Sequence, residues 1–212
     1  MSQQEAFERT EKLIRDYLSV KRSNSIPGRI TELQAHDSSF EYDPHHDLVR
    51  EGLVEHVGLL PILATTLYPY VASDEIDLGE ALTILAIHDI GETVTGDTNT
   101  FIKTDSEADE EQEIAKKLLD PMYLDLYELG EDPSTPSSRF AKSMDKLVAE
   151  YLDYICPPEV TLKRYAVMLD LNTPDEIIDK KLSHKGKYFE WHPFLKEHFA
   201  HVLEVSHKKL SS

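Results

Sequence analysis

Two histidines and two aspartates stand where side chains should be apolar. Leu78, Leu82, Leu85 and Asp89 follow one another at steps of four, three and four residues, one face of a helix. Asp89 thus ends an apolar stripe, where an ionised carboxylate is rarely left unpaired. His88 extends Ala81 and Ile84 in the same manner, and Glu92 lies one helical turn beyond both His88 and Asp89. His56 belongs with Leu59, Leu60, Leu63 and Leu67, and Asp145 with Ala141, Val148, Leu152 and Ile155, again at helical spacing. Three separate core-facing stripes each carry one ligand-type residue or two adjacent ones.

Buried carboxylates need pairing, hydrogen bonds or a metal, and His56, His88, Asp89 and Asp145 together form a natural cation site. Imidazole nitrogens with carboxylate oxygens suit one divalent ion of the first row (Mn, Fe, Co, Ni or Zn), and Mg is compatible. No thiolate joins the set, so a structural zinc site is not expected, and open positions remain for water. A cation there would lower the pKa of its water and polarise a phosphoryl oxygen. Glu92 is placed to orient that water or take its proton, and Asp97, after Gly96, to hold water or protonate a leaving oxygen. Arg139, Lys142 and Lys146 share a helix face near Asp145, and Arg50 precedes His56, which makes these the local phosphate-binding candidates. Singly, each residue has a plainer reading. A His-Asp dipeptide arises by chance, His56 fits a hydrogen-bonded core histidine, Asp97 a cap, and Arg139 with Lys142 and Lys146 a solvated face. Their joint order on separate helices makes them a site.

The elements that must position them read as helices with polar joints. Periodicity predicts helices over about 4–21, 52–70 (Pro61 bending rather than ending it), 77–88, 105–119 with a cap near Ser106, 122–129, 139–155, 160–171, 175–182 and 193–209. Pro157-Pro158 closes the helix carrying Asp145, and Asn172-Thr173-Pro174-Asp175 supplies a turn and a cap. The segment 23–50 is long and irregular, and its His36, His45 and His46 read as solvated loop histidines. No alternating strand pair and no internal repeat is visible. The expectation is an all-α chain, one domain over 1–212, with a metal-site core at about 50–155 and a helical C-terminal extension at about 158–210.

Composition narrows the function classes. With 212 residues, 29% charged and 40% hydrophobic, the chain has a globular balance and enough length for a substantial core. A formal net charge of −18 argues against sequence-independent nucleic-acid binding, while a small anionic substrate remains compatible with a locally positive site. The one cysteine, Cys156, fits a structural role in a reducing compartment. The polar, acidic residues at the start and the absence of a long apolar run lead to the expectation of a cytoplasmic protein with no membrane partner.

In this order, His56, His88-Asp89 and Asp145 resemble the HD-domain metal-dependent phosphohydrolases. More narrowly, Val54-Glu55-His56, the stretch from His88-Asp89 through Glu92 to Gly96-Asp97, and Arg139 through Asp145-Lys146 resemble their 5′-deoxynucleotidase-like branch. The resemblance spans about 29–155. It implies an all-α fold, a divalent metal on His56, His88, Asp89 and Asp145, and water activation and proton transfer by Glu92 and Asp97. It also implies release of phosphate from deoxynucleoside 5′-monophosphates and a homodimer. Branch members place a phosphate-binding arginine upstream of the first ligand; here Arg29 and Arg50 are the candidates, at altered spacing. Ser138 stands where alanine is usual, and nothing after Pro158 has a counterpart.

Three functions compete at this level: a metal-dependent phosphomonoesterase on (deoxy)nucleoside 5′-monophosphates, an HD hydrolase of another phosphate bond in a triphosphate or alarmone, and a non-catalytic nucleotide-binding scaffold. Alarmone hydrolases generally follow the glutamate with an acidic residue, where this chain has Thr93. A pure binder has no need of both Glu92 and Asp97.

Overall fold

A computed structural model of the chain describes residues 2–8, 10–11, 53–72, 75–96 and 103–212. Arg29, Arg50, Asp97 and the loop histidines His36, His45 and His46 lie outside the described residues. Among those described, every regular element is helical and none is a strand, as expected of an all-α chain. No described helix is long and apolar enough to cross a membrane.

Helix α1 (Leu53–Val71) runs through both Pro61 and Pro69. Each proline removes a backbone donor without ending the helix; between them, Thr65 Oγ1 lies 2.7 Å from the Pro61 carbonyl and Thr66 Oγ1 donates to the Ile62 carbonyl at 2.7 Å, both bonds back along the same helix. Helix α2 (Leu78–Ile87) starts at Asp77, whose carboxylate accepts from the Glu80 amide at 3.0 Å. A tight turn then leads into the single-turn α3 (Glu92–Thr95). Helix α4 (Asp105–Leu118) is capped at Thr104 rather than near Ser106, because Glu107 stands three residues on and completes a reciprocal capping box. A 3₁₀ turn (Pro121–Tyr123) and α5 (Leu124–Glu131) follow.

Helix α6 (Pro136–Ile155) opens three residues before its expected start, with Pro136 in the first turn and Thr135 as cap. Ser138 is fully buried here and completes the cap. Its amide donates to Thr135 Oγ1 at 3.1 Å, and its hydroxyl accepts from the Thr135 amide at 3.0 Å. That is a physical reason for serine in place of alanine. Pro157-Pro158 both ends α6 and begins α7 (Pro158–Leu169), which closes at Asp170 in the left-handed region, φ 54°. Helix α8 (Pro174–Lys185), capped by Thr173 and Glu176, a 3₁₀ turn (Gly186–Tyr188) and α9 (Pro193–Leu210) complete the chain.

Helix α6 is the central element and packs against α1, α2 and α9. Leu60, Leu63 and Leu67 of α1, Ala81, Ile84 and Leu85 of α2, Phe140, Met144 and Leu147 of α6, and Phe199 and Val202 of α9 form one buried cluster. From the N-terminal helical segment, Ala6 and Phe7 join it, with the Phe7 ring 5.5 Å from that of Tyr151. The apolar stripes legible in the sequence are thus the faces that meet.

Two polar links hold α2 and α6 in register. The Asp77 amide donates to Ser137 Oγ at 2.9 Å, and Thr135 Oγ1 donates to Glu80 Oε1 at 3.2 Å. With their starts tied together, His88 and Asp145 fall at matching depth along the two helices, eleven residues after Asp77 and ten after Thr135.

The C-terminal helices are fastened to α6 by buried charge. Lys181 of α8, wholly buried, lies 2.6 Å from Glu150 Oε2 and 2.8 Å from Asp153 Oδ2, while Lys185 reaches Glu150 Oε1 at 2.6 Å. From α7, the Tyr165 hydroxyl donates to Asp153 at 2.8 Å and Arg164 lies 3.2 Å away. Burial alone would raise the carboxyl pKa of Glu150 and Asp153, but Lys181, together with Lys185 at Glu150 and Arg164 and Tyr165 at Asp153, holds both below the usual range.

Candidate metal centre

Helix α1 supplies His56, the C-terminal end of α2 supplies His88 and Asp89, and the middle of α6 supplies Asp145. One nitrogen of each histidine and one oxygen of Asp145 all lie within 4.8 Å of one another. His56 Nε2 is 3.3 Å from Asp89 Oδ2 and 3.6 Å from Asp145 Oδ1. His88 Nε2 is 2.9 Å from Asp89 Oδ2 and 3.5 Å from Asp145 Oδ1. His56, His88 and Asp145 therefore gather around one point, and Asp89 approaches both histidines.

The orientation of His88 is fixed from behind. Its Nδ1 lies 2.9 Å from the Leu85 carbonyl, which can only accept, so Nδ1 carries a proton and Nε2 faces the carboxylates. Nε2 is buried and, despite the short approach of Asp89, makes no well-directed hydrogen bond. A buried ligand atom aimed between two carboxylates, with the far ring nitrogen held by a carbonyl, is the arrangement of a metal-binding histidine. The donor set fits a divalent cation.

The electrostatics agree. Burial alone would lower the pKa of His88; its contacts with Asp145 and Asp89 overcome that and push it up to about 9. Burial would likewise raise the Asp145 carboxyl, yet Lys146, at 2.9 Å, and the two histidines hold it well below the ordinary range. The cluster thus favours positive charge at His88, where a cation would compete with a proton for Nε2.

Two features around the turn after Asp89 shape the site. Gly91 lies against the backbone of α4: a Cβ there would stand 2.4 Å from the Glu111 carbonyl oxygen, so only glycine permits the approach. Glu92, half-buried, opens α3, and its amide donates to the Asp89 carbonyl at 3.0 Å. Lys103 pairs with Glu111 of α4. Burial opposes its charge, but Glu111, with Glu92 and Asp89 adding to it, raises its pKa.

Residues 45–154 match the HD domain family, a span that contains all four converging side chains and ends inside α6. The chain belongs to the HD-domain family. The fold is also similar to that of a predicted metal-dependent phosphohydrolase from Magnetospirillum magnetotacticum, over 99% of this chain and 97% of that one. The TM-score is 0.55 at 20% sequence identity, so the likeness is one of fold. No curated protein matches the sequence.

Around the HD-domain cluster, the structure separates the other sequence candidates. Lys142 reaches away to Glu131 of α5, 3.8 Å off, and Arg139 is exposed near the start of α6. Lys146 is the member of that face that touches the site. The sequence reading did not single out Lys103, Gly91 or Tyr188. Gly91, inside the His-Asp-x-Gly-Glu run, was the one with a local signal, since glycine between helices marks a close approach.

Proposed function

We propose that this HD-domain chain is a metal-dependent phosphohydrolase, and within that class a phosphomonoesterase that releases phosphate from (deoxy)nucleoside 5′-monophosphates. The observation that carries the hydrolase reading is the convergence of His56, His88 and Asp145, with Asp89 beside them, around a buried imidazole nitrogen aimed between carboxylates. The Magnetospirillum protein of similar fold, named a predicted metal-dependent phosphohydrolase, supports it.

His56, His88, Asp89 and Asp145 would hold a divalent cation, which would supply Lewis acidity and a water of lowered pKa. The chain does the rest. Leu85 holds the His88 ring in orientation through its carbonyl. Glu92, set at the first position of α3 by the Asp89–Glu92 turn, orients the attacking water and takes its proton. The family resemblance assigns Asp97 the proton for the leaving oxygen and Arg29 and Arg50 the phosphate, while Lys142, turned to Glu131, and exposed Arg139 are left without a role at the site. The monophosphate preference rests on the resemblance of the motif order to the 5′-deoxynucleotidase-like branch. The same reading carries a homodimer in the cytoplasm, with small nucleotides rather than nucleic acid as ligands.

The test is phosphate release from a panel of nucleoside mono- and triphosphates after chelation and addition of Mn, Co or Mg. Metal-dependent release from monophosphates is expected. Cleavage confined to triphosphates or alarmones would keep the centre and move the scissile bond.

A further inference from the structure

A basic patch stands out in a chain of net charge −18, and the C-terminal helices bring it to the metal centre. Ser143 of α6, two residues before Asp145, has its hydroxyl 2.8 Å from the Tyr188 carbonyl and accepts from Trp191 Nε1 at 3.0 Å. These bonds pin the turn after α8 against the segment of α6 that carries the metal-site aspartate. The Tyr188 ring is then shared by two ammonium groups: Lys187 Nζ lies 4.9 Å from its centre and Lys146 Nζ 6.0 Å. Lys146 is also the cation 2.9 Å from Asp145 Oδ2. One ammonium therefore bridges the metal-site carboxylate and a tyrosine that lies outside the 45–154 family match.

One of those charges has no counter-charge among the described residues. Lys187 is exposed and forms no ion pair among the described residues, unlike Lys185, which is committed to Glu150. His184 feels the surplus: burial first, then the charges of Lys180, Lys185, Lys187 and Lys146, lower its pKa. An ammonium has three donors, and Asp145 occupies one of those on Lys146. Lysine is a good point-charge partner for phosphate, and an acidic protein needs such a local field to attract an anion.

We propose that Lys187 and Tyr188 of the C-terminal extension join Lys146 in a binding wall for the dianionic phosphate of a phosphate monoester, the Tyr188 hydroxyl donating to a phosphate oxygen. The proposal rests on the phosphohydrolase reading for its choice of anion. It gives the C-terminal third a role in substrate binding and makes the phosphate contact a product of two parts of the chain.

The test titrates inorganic phosphate into metal-free protein and follows the emission of Trp191, the one tryptophan, three residues from Tyr188. Lys187→Ala and Tyr188→Phe are compared with Lys208→Ala, a charge-matched change at an exposed lysine of α9 that pairs with Glu204. Tyr188→Phe keeps the ring and the carbonyl that meets Ser143. Lys187→Ala and Tyr188→Phe each weaken phosphate binding by about tenfold and, in the metal-loaded enzyme, raise KM more than they lower kcat. Metal affinity, titrated separately, stays at the wild-type value, and Lys208→Ala binds phosphate as the wild type does. Phosphate binding within twofold of wild type in both variants, an equal loss in Lys208→Ala, or no phosphate binding by the wild type would each overturn the wall. A wild type that binds phosphate in this manner yet hydrolyses no phosphate ester with any metal removes the phosphohydrolase reading and leaves the wall. An active enzyme insensitive to both changes does the reverse.

Discussion

Asp145 carries several tasks in one side chain: it faces both histidines and neutralises Lys146. Asp145→Ala should lower metal affinity by more than about 100-fold, beyond the usual cost of losing a supporting partner, and leave Lys146 without its buried counter-charge. Metal titration checks the first effect, and full occupancy in the variant would remove Asp145 from the ligand set. Glu92→Gln separates roles differently: fold and metal stay while kcat drops by about 10²–10⁴, the range for a lost general base. A second histidine tests the fold rather than the chemistry. His198 of α9 is buried, with Nε2 2.7 Å from the Tyr151 hydroxyl and Nδ1 2.8 Å from Gln3 Oε1, and burial lowers its pKa to about 4. A depressed folded value means that its contribution is intact above the unfolded value near 6.5 and is lost as pH falls toward 4. Denaturant unfolding should therefore show a loss at pH 5 of about 2 kcal/mol that His198→Gln does not share. Equal pH slopes for the two proteins would contradict this.

The elements differ in how much of them sequence could disclose. The stripes of α1, α2 and α6 were legible because apolar spacing is local, and a histidine or aspartate on such a stripe is an exception with few explanations. Caps were less so: the α4 cap lies at Thr104, where the capping box decides, and α6 starts at Pro136 because Thr135 and Ser138 cap each other. Lys103, Lys187 and Tyr188 carry no periodic signal; only tertiary packing brings them near the four ligand-type residues. Glycine 91 is an element-scale constraint, since it sets how closely α4 approaches the turn that positions Asp89 and Glu92. Gly91→Ala should cost about 1–3 kcal/mol, because the obstructing atom is a backbone oxygen, and should depress turnover along with stability. Thermal unfolding and activity on one preparation check both, and a neutral alanine would mean that α4 yields easily.

Across the whole molecule, one helix joins two kinds of chemistry. Helix α6 presents Asp145 to the metal centre and, about one and two turns later, Glu150 and Asp153 to the buried lysine of α8. The sequence shows Lys181 as an ordinary lysine of an amphipathic helix; its full burial follows from two carboxylates on another element and could not be read locally. Lys181→Ala removes the cation that both buried carboxylates share and leaves Glu150 with Lys185 and Asp153 with Arg164 and Tyr165, at an expected cost of about 3 kcal/mol in denaturant unfolding. A cost below about 1 kcal/mol would show that Lys181 is not what fastens α8 to α6. The central claim, that the converging histidines and aspartates make a hydrolytic metal centre, is tested most directly by measuring phosphate release from deoxynucleoside 5′-monophosphates. The enzyme is assayed after chelation and again after Mn, Co or Mg is restored. Activity that vanishes on chelation and returns with metal is the predicted result. Activity that survives chelation would place the chemistry elsewhere in the chain, and silence on every phosphate ester with every metal would leave a binding scaffold.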